Sequence, residues 1–157
     1  MVRTGNPPQP SQSPRDTDSG LYQKASASFP DGMKVLHECP DATVDVCFVH
    51  GLAGDRERTW TAHGHSTSWP QSLLPDALNK ARILTYGYDA YVVRKSVTAV
   101  TRLVDHATNL LNEYTANRDD NGASSRPIIF VGHSLGGLVC QEAIILSRNN
   151  PLQRFYQ

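Results

Sequence analysis

The chain has no long apolar run, no excess of either charge and too few cysteines to form a framework. Its longest apolar stretches, such as Ile128-Ile129-Phe130-Val131 and Ala143-Ile144-Ile145-Leu146, fall far short of the roughly 20 residues that a membrane-crossing helix needs. The opening segment MVRTGNPPQPSQSPRDTDSG holds no apolar core, so it is not expected to act as a secretory signal. Fifteen basic residues offset fifteen acidic ones, which removes the electrostatic case for nucleic acid as a main partner. Peripheral attachment to a membrane is left open. Cys39, Cys47 and Cys140 stand far apart and show no zinc-ligand spacing. Cys47 and Cys140 lie in apolar segments, where cysteine behaves as a small hydrophobe, so a reducing intracellular setting is expected.

Residues 1–30 carry half of the ten prolines, with serine, glutamine and glycine between them. So few apolar side chains cannot offset the entropy lost on ordering, and a disordered tail is expected there. Residues 31–157 form the folded part. Apolar, β-branched runs predict strands over Met33 to Cys39, Val44 to His50, Arg82 to Tyr86 and Pro127 to Val131, the last buried on both faces. A short helix is expected over Trp69 to Asn79, with Leu73, Leu74 and Leu78 facing inward. Ser96 to Asn117 has apolar residues at every third or fourth position, from Val97 and Val100 to Leu110, Leu111 and Tyr114, the mark of a helix with one inward face. His106 falls on its polar side and is expected to be exposed. Leu135 to Arg148 is the final helix. Strands alternating with helices predict an α/β fold, a mostly parallel sheet with helices on both faces.

The chemistry concentrates in Gly132-His133-Ser134-Leu135-Gly136, a G-x-S-x-G sequence between an apolar strand and a helix. A sharp strand-to-helix turn lifts a serine hydroxyl above the sheet, and the glycines admit close backbone approach. The helix that starts at Leu135 directs free N–H groups and its positive dipole end toward a developing oxyanion. Gly137 is expected to extend the close packing. A phosphate-binding turn would need a different glycine spacing. The second element is His50-Gly51-Leu52-Ala53-Gly54, after the strand expected beside the elbow strand, where an oxyanion-hole loop belongs. Ser134 is the candidate nucleophile, with the backbone N–H groups of Leu52 and Leu135 as oxyanion donors. His50, Gly51, Gly132, His133 and Gly136 support the two turns. His63 and His65 lack carboxylate or thiolate partners at ligand spacing and read as a solvated loop. Arg56, Glu57 and Arg58 read as a solvated charged turn, and Trp60 and Trp69 as anchors that pin a loop.

The blocks VDVCFVHGLAGDRERTWT, SWPQSLLP, ARILTYGYDA and RPIIFVGHSLGGLV resemble the serine esterase and lipase domains of the α/β-hydrolase superfamily, those related to the serine active site-containing proteins. Similar domains stand at the N-terminus of fungal NACHT, ankyrin and tetratricopeptide-repeat proteins. The resemblance spans about Met33 to Arg148. It implies a serine nucleophile at Ser134, an oxyanion loop at His50-Gly51-Leu52 and hydrolysis of an acyl ester or lipid with no metal and no cofactor. It also implies association with mitochondrial or endoplasmic-reticulum membranes, and fusion to repeat domains in relatives.

One part of the pattern is missing. In this fold an acid and then a histidine follow the nucleophile, yet no histidine or aspartate follows Ser134, and Glu142 lies two turns into the elbow helix. The folded part, roughly 120 residues, is also short against the 200–250 of large single-core α/β domains. A truncated α/β-hydrolase fold, lacking its C-terminal strands, is the expectation. Two functional readings follow: the N-terminal part of a serine hydrolase, inactive as an isolated chain, or a non-catalytic recognition or effector module derived from the same fold.

Overall fold

The computed structural model describes residues 30–90, 99–120 and 125–150, with Met1 and Gly122. The expected tail over 1–30 lies outside them apart from Met1 and Pro30, as do Ser96 and Val97 of the expected long helix. Four strands form one sheet in the order β1-β3-β2-β4: β1 (Gly32–His37), β2 (Val44–Val49), β3 (Ala81–Gly87) and β4 (Ile128–Gly132). β1 runs antiparallel to β3, and β2 is parallel to both β3 and β4. Helices α1 (Trp69–Ala77), α2 (Ala99–Asp120) and α3 (Leu135–Asn149) complete the described elements, with a 3-10 turn at Arg58–Trp60. None of these helices is long and apolar enough to cross a membrane.

Strand alternation divides the core between the two faces. Cys47 and Val49 of β2 and Leu84 and Tyr86 of β3 pack with Ala107, Leu110, Leu111 and Tyr114 of α2 and Val139, Cys140 and Ala143 of α3. Val46, Phe48 and Ile83 point the other way, toward Trp60 and Leu74 of α1. Each large apolar side chain buried in this way contributes about 1.5–3 kcal/mol. Trp60 and Trp69 both meet Phe48 edge-on, with centroids 5.0 and 5.3 Å away, and so pin the segment between β2 and α1 as anchors.

Several expectations fail for local reasons. Leu73 is 63% exposed and Leu78 also faces solvent, because α1 is short and rests on the sheet through Leu74. Val100, 76% exposed, lies in the first turn of α2, before the helix reaches the core. Ile129 is 53% exposed: β4 lies at an edge of the described sheet and is not buried on both faces. The charged turn is not simply solvated. Arg56 reaches back to the carbonyls of Asp31 and Gly32, and Asp55 accepts from the backbone N–H groups of Glu57 and Arg58 at 2.8 and 2.7 Å.

The two sheet edges differ. β1 carries a bulge between Val35 and His37, and its Met33 N–H donates to the Glu113 carboxylate of α2 at 2.7 Å. Bulges and capped amides blunt an edge. The outer side of β4 carries no strand among the described residues. An open groove lined by Phe130, Cys140, Ile144 and Arg148 runs beside it.

At the opposite end of the sheet from the two motif turns lies a buried charge cluster. Asp45, near the start of β2, is fully buried and faces Arg82 in register. Its carboxylate accepts from Arg82 Nε at 3.1 Å and Nη2 at 3.2 Å, from Arg126 Nη1 at 3.0 Å and from the Tyr114 hydroxyl at 2.9 Å. Charge-assisted bonds in this number let a carboxylate survive away from water.

Candidate active site

Parallel pairing brings the two motif turns together. Val49 of β2 stands opposite Gly132 of β4, so both strands end at the same level and their turns start side by side. The chain leaving β2 runs to the face that holds α1, whereas the chain leaving β4 enters α3 on the other face. Adjacent parallel strands whose connections diverge in this way open a crevice at their C-terminal ends. The His133 N–H donates to the Val49 carbonyl at 2.9 Å and ties the elbow to the end of β2.

At that crevice Ser134 has φ 52° and ψ −122°, the only non-glycine residue with positive φ among the described residues. Such a conformation costs of order 1–3 kcal/mol and persists only where its surroundings enforce it. The enforcement comes from β4, which runs straight into the turn, and from α3, which starts at the next residue. Ser134 is solvent-exposed, as is His133. The Gly136 N–H bonds the His133 carbonyl at 2.9 Å and the Gly137 N–H the Ser134 carbonyl at 3.0 Å. The amide of Leu135, first in the helix, is left without an intrahelical acceptor.

Close contacts explain most of the glycines. A Cβ on Gly51 would come within 2.8 Å of the His133 carbonyl oxygen and of Ser134 Cβ, so the loop after β2 abuts the candidate nucleophile. A Cβ on Gly132 would stand 2.6 Å from the Gly137 Cα, and one on Gly136 would overlap the carbonyl oxygens of Val49 and His50. Gly137 departs from expectation: a Cβ there meets nothing within 4 Å, so the space is needed by Gly132 and not by Gly137 itself. The side chains of Leu52 and Leu135 both pack against the core cluster beneath the crevice.

His50 is 1% exposed, with its ring stacked on Tyr88 at 4.5 Å and 18°. Burial lowers its pKa, a shift that its hydrogen bond to Gly51 partly opposes. Tyr88 also touches the ring of His106, with centroids 4.8 Å apart. His106 is therefore half-buried and not exposed as expected, and its Nε2 is buried without a hydrogen-bond partner among the described residues. Burial lowers this pKa too, against the opposing charges of Asp105 and Asp89.

These shifts have a defined sign. Both imidazoles titrate below the ordinary value of 6.5 when folded, so the unfolded chain takes up protons first as pH falls. Their stabilising share is complete above about pH 6.5 and is lost progressively below it. Urea midpoints are expected to fall between pH 7 and pH 5, and His106→Gln is expected to flatten that decline. Superimposable pH profiles for the two proteins would contradict the assignment.

Among the described residues a complete triad is not assembled. Glu142 lies on α3, two turns beyond Ser134, and His106 packs on Tyr88. His63 and His65 are exposed, and among the described residues no group of three or more metal-ligating side chains comes together.

Residues 48–152 match the model of the alpha/beta hydrolase family. Among curated proteins, Protein SERAC1 of Mus musculus is 26% identical over 151 aligned positions and that of Danio rerio 27% over 143. The human protein is 24% identical over 151. Each alignment covers 78% of this chain and 22% of the relative, so the chain spans about a fifth of their length. Among solved structures, the NocB thioesterase domain, crystallised in covalent complex with a fluorophosphonate nocardicin G analog, is 18% identical with a TM-score of 0.47. That alignment covers 75% of this chain and 43% of that one. With the family match covering well over half of the sequence, the chain belongs to the alpha/beta hydrolase family.

Proposed function

We propose that this chain is the nucleophile-bearing part of a serine hydrolase for carboxylic esters, lipid esters included. The observation that carries the reading is Ser134: an exposed serine at φ 52° between a strand and a helix, with Gly51 of the neighbouring loop against its Cβ. In this reading the Ser134 Oγ attacks the acyl carbon and loses its proton to a base. The carbonyl electrons move onto oxygen, and the N–H groups of Leu52 and Leu135 donate hydrogen bonds to the oxyanion that forms. Each donor of this kind is worth about 3–4 kcal/mol in the transition state. Collapse expels the protonated alcohol and leaves an acyl-serine that water hydrolyses. Mitochondrial or endoplasmic-reticulum membrane association, peripheral in kind, belongs to the same reading through the resemblance to the serine active site-containing proteins.

No histidine or aspartate follows Ser134, so turnover by this chain is expected to stay near the residual level, about 10³–10⁴ over water, that triad loss leaves in related enzymes. A fluorophosphonate probe is expected to label Ser134 slowly but stoichiometrically, and not to label Ser134→Ala. Failure to label Ser134 at all would sink the hydrolase reading. Rapid p-nitrophenyl ester turnover, abolished by Ser134→Ala, would sink the expectation of low turnover. The lack of a histidine or aspartate after Ser134 in these residues favours a second reading, a recognition or effector module fused to NACHT, ankyrin or tetratricopeptide repeats, for which an unreactive Ser134 in a well-folded domain is the expected result.

A further inference from the structure

We infer that His50 and Tyr88 form a positioning lock that sets the direction of the Leu52 N–H. The inference rests on the hydrolase reading for its purpose, but its geometry stands apart from it. The Nδ1 of His50 lies 2.8 Å from the Gly51 carbonyl oxygen, and the Tyr88 backbone N–H points at Nε2 from 3.2 Å. A carbonyl only accepts and an amide N–H only donates. Both contacts therefore demand one tautomer, neutral, with the proton on Nδ1. The Gly51 oxygen takes a second bond from the Gly54 N–H at 3.3 Å.

Two donors on one carbonyl fix the plane of the Gly51–Leu52 peptide. Among the described residues no peptide bond is cis, and across a planar trans peptide the N–H points opposite to the C=O. Holding the Gly51 oxygen toward His50 therefore turns the Leu52 N–H away from it. That peptide belongs to the loop lying against Ser134. Tyr88 closes the lock by donating its hydroxyl to the His50 carbonyl at 3.0 Å while its ring stacks on the imidazole. The same His50 carbonyl bounds the space that Gly136 leaves empty at the start of α3. One buried histidine and one tyrosine thus join the turns after β2 and β3 to the elbow helix.

The test compares two replacements that both remove the imidazole ring. His50→Asn keeps an N–H donor near the Nδ1 position, whereas His50→Gln places its amide near Nε2. Fluorophosphonate labelling of Ser134 is expected to slow about 10–100-fold in His50→Gln, part of the 10²–10³ lost when an oxyanion donor is removed outright. His50→Asn is expected to recover most of that loss. In the 31P spectrum of the Ser134 adduct, His50→Gln is expected to shift the phosphoryl resonance away from the wild-type position. Equal labelling rates in the two variants would overturn the lock. Should either variant fail to fold, nitrogen NMR of the wild-type protein decides: a His50 proton on Nε2 overturns it, and a proton on Nδ1 supports it. If wild-type Ser134 is not labelled while His50 shows the Nδ1 proton, the hydrolase reading has failed and the lock has not.

Discussion

Replacing Asp45 by alanine is expected to destabilise the protein by about 3–5 kcal/mol, the range found when one member of a buried ion pair is removed. Domain stabilities are typically about 5–15 kcal/mol, so this single change removes a large fraction. The cost is not the loss of one attraction. Arg82 is 1% exposed and would keep its charge with no carboxylate to bind, while the Tyr114 hydroxyl would lose the acceptor it now has at 2.9 Å. Arg126, whose side chain is 15% exposed, has water to fall back on, so Arg126→Ala is expected to cost much less. Urea denaturation of both variants checks the contrast. A loss below about 1 kcal/mol for Asp45→Ala would mean that the cluster is hydrated and that its burial counts for little.

Gly136→Ala is the second large expected effect, sharpened by its neighbour. In a helix interior alanine is favoured over glycine by up to about 1 kcal/mol, so both Gly136→Ala and Gly137→Ala start with that advantage. At Gly137 nothing lies within 4 Å of the new methyl group, and the substitution is expected to be neutral or to stabilise by about 0.5–1 kcal/mol. At Gly136 the methyl would overlap the carbonyl oxygens of Val49 and His50. These are backbone atoms of β2 and its turn and cannot swing aside as a side chain can. Overpacking usually costs about 1–3 kcal/mol, and the upper end is expected here. The first turn of α3 would also be pushed away from the loop that holds Gly51, so Ser134 labelling should fall together with the melting temperature. Equal behaviour of the two alanine variants would show that the elbow is not packed as described.

Much of the geometry of the candidate site was legible in the sequence because a strand–serine–helix turn is local. Strand, serine and helix follow one another within a few residues, and Gly132, Ser134 and Gly136 keep the same relation in space that they have along the chain. Even the juxtaposition with Gly51 followed from strand order alone. Tyr88 was not legible, since its partnership with His50 depends on β3 and β2 ending at neighbouring levels of the sheet. His106 was misjudged for the same reason: helical periodicity finds the apolar face of α2 but cannot tell that Tyr88 reaches its flank. Asp45 did leave a trace. A carboxylate inside VDVCFV has to find a cationic partner if the strand is buried, and Arg82, at the head of another buried strand, was available. Leu73 and Leu78 misled because hydrophobicity does not say how much of a short helix touches a sheet.

The unlike edges of that sheet give it a direction of growth. Its bulge and the Glu113 carboxylate on Met33 make β1 a poor acceptor for another strand, while the outer flank of β4, unpaired among the described residues, is a ready one. Because β4 runs into the turn that bears Ser134, any newcomer aligned with it, from whatever chain, would finish beside that hydroxyl. Sheet extension at that edge would therefore bring the end of the added strand to the level of the serine.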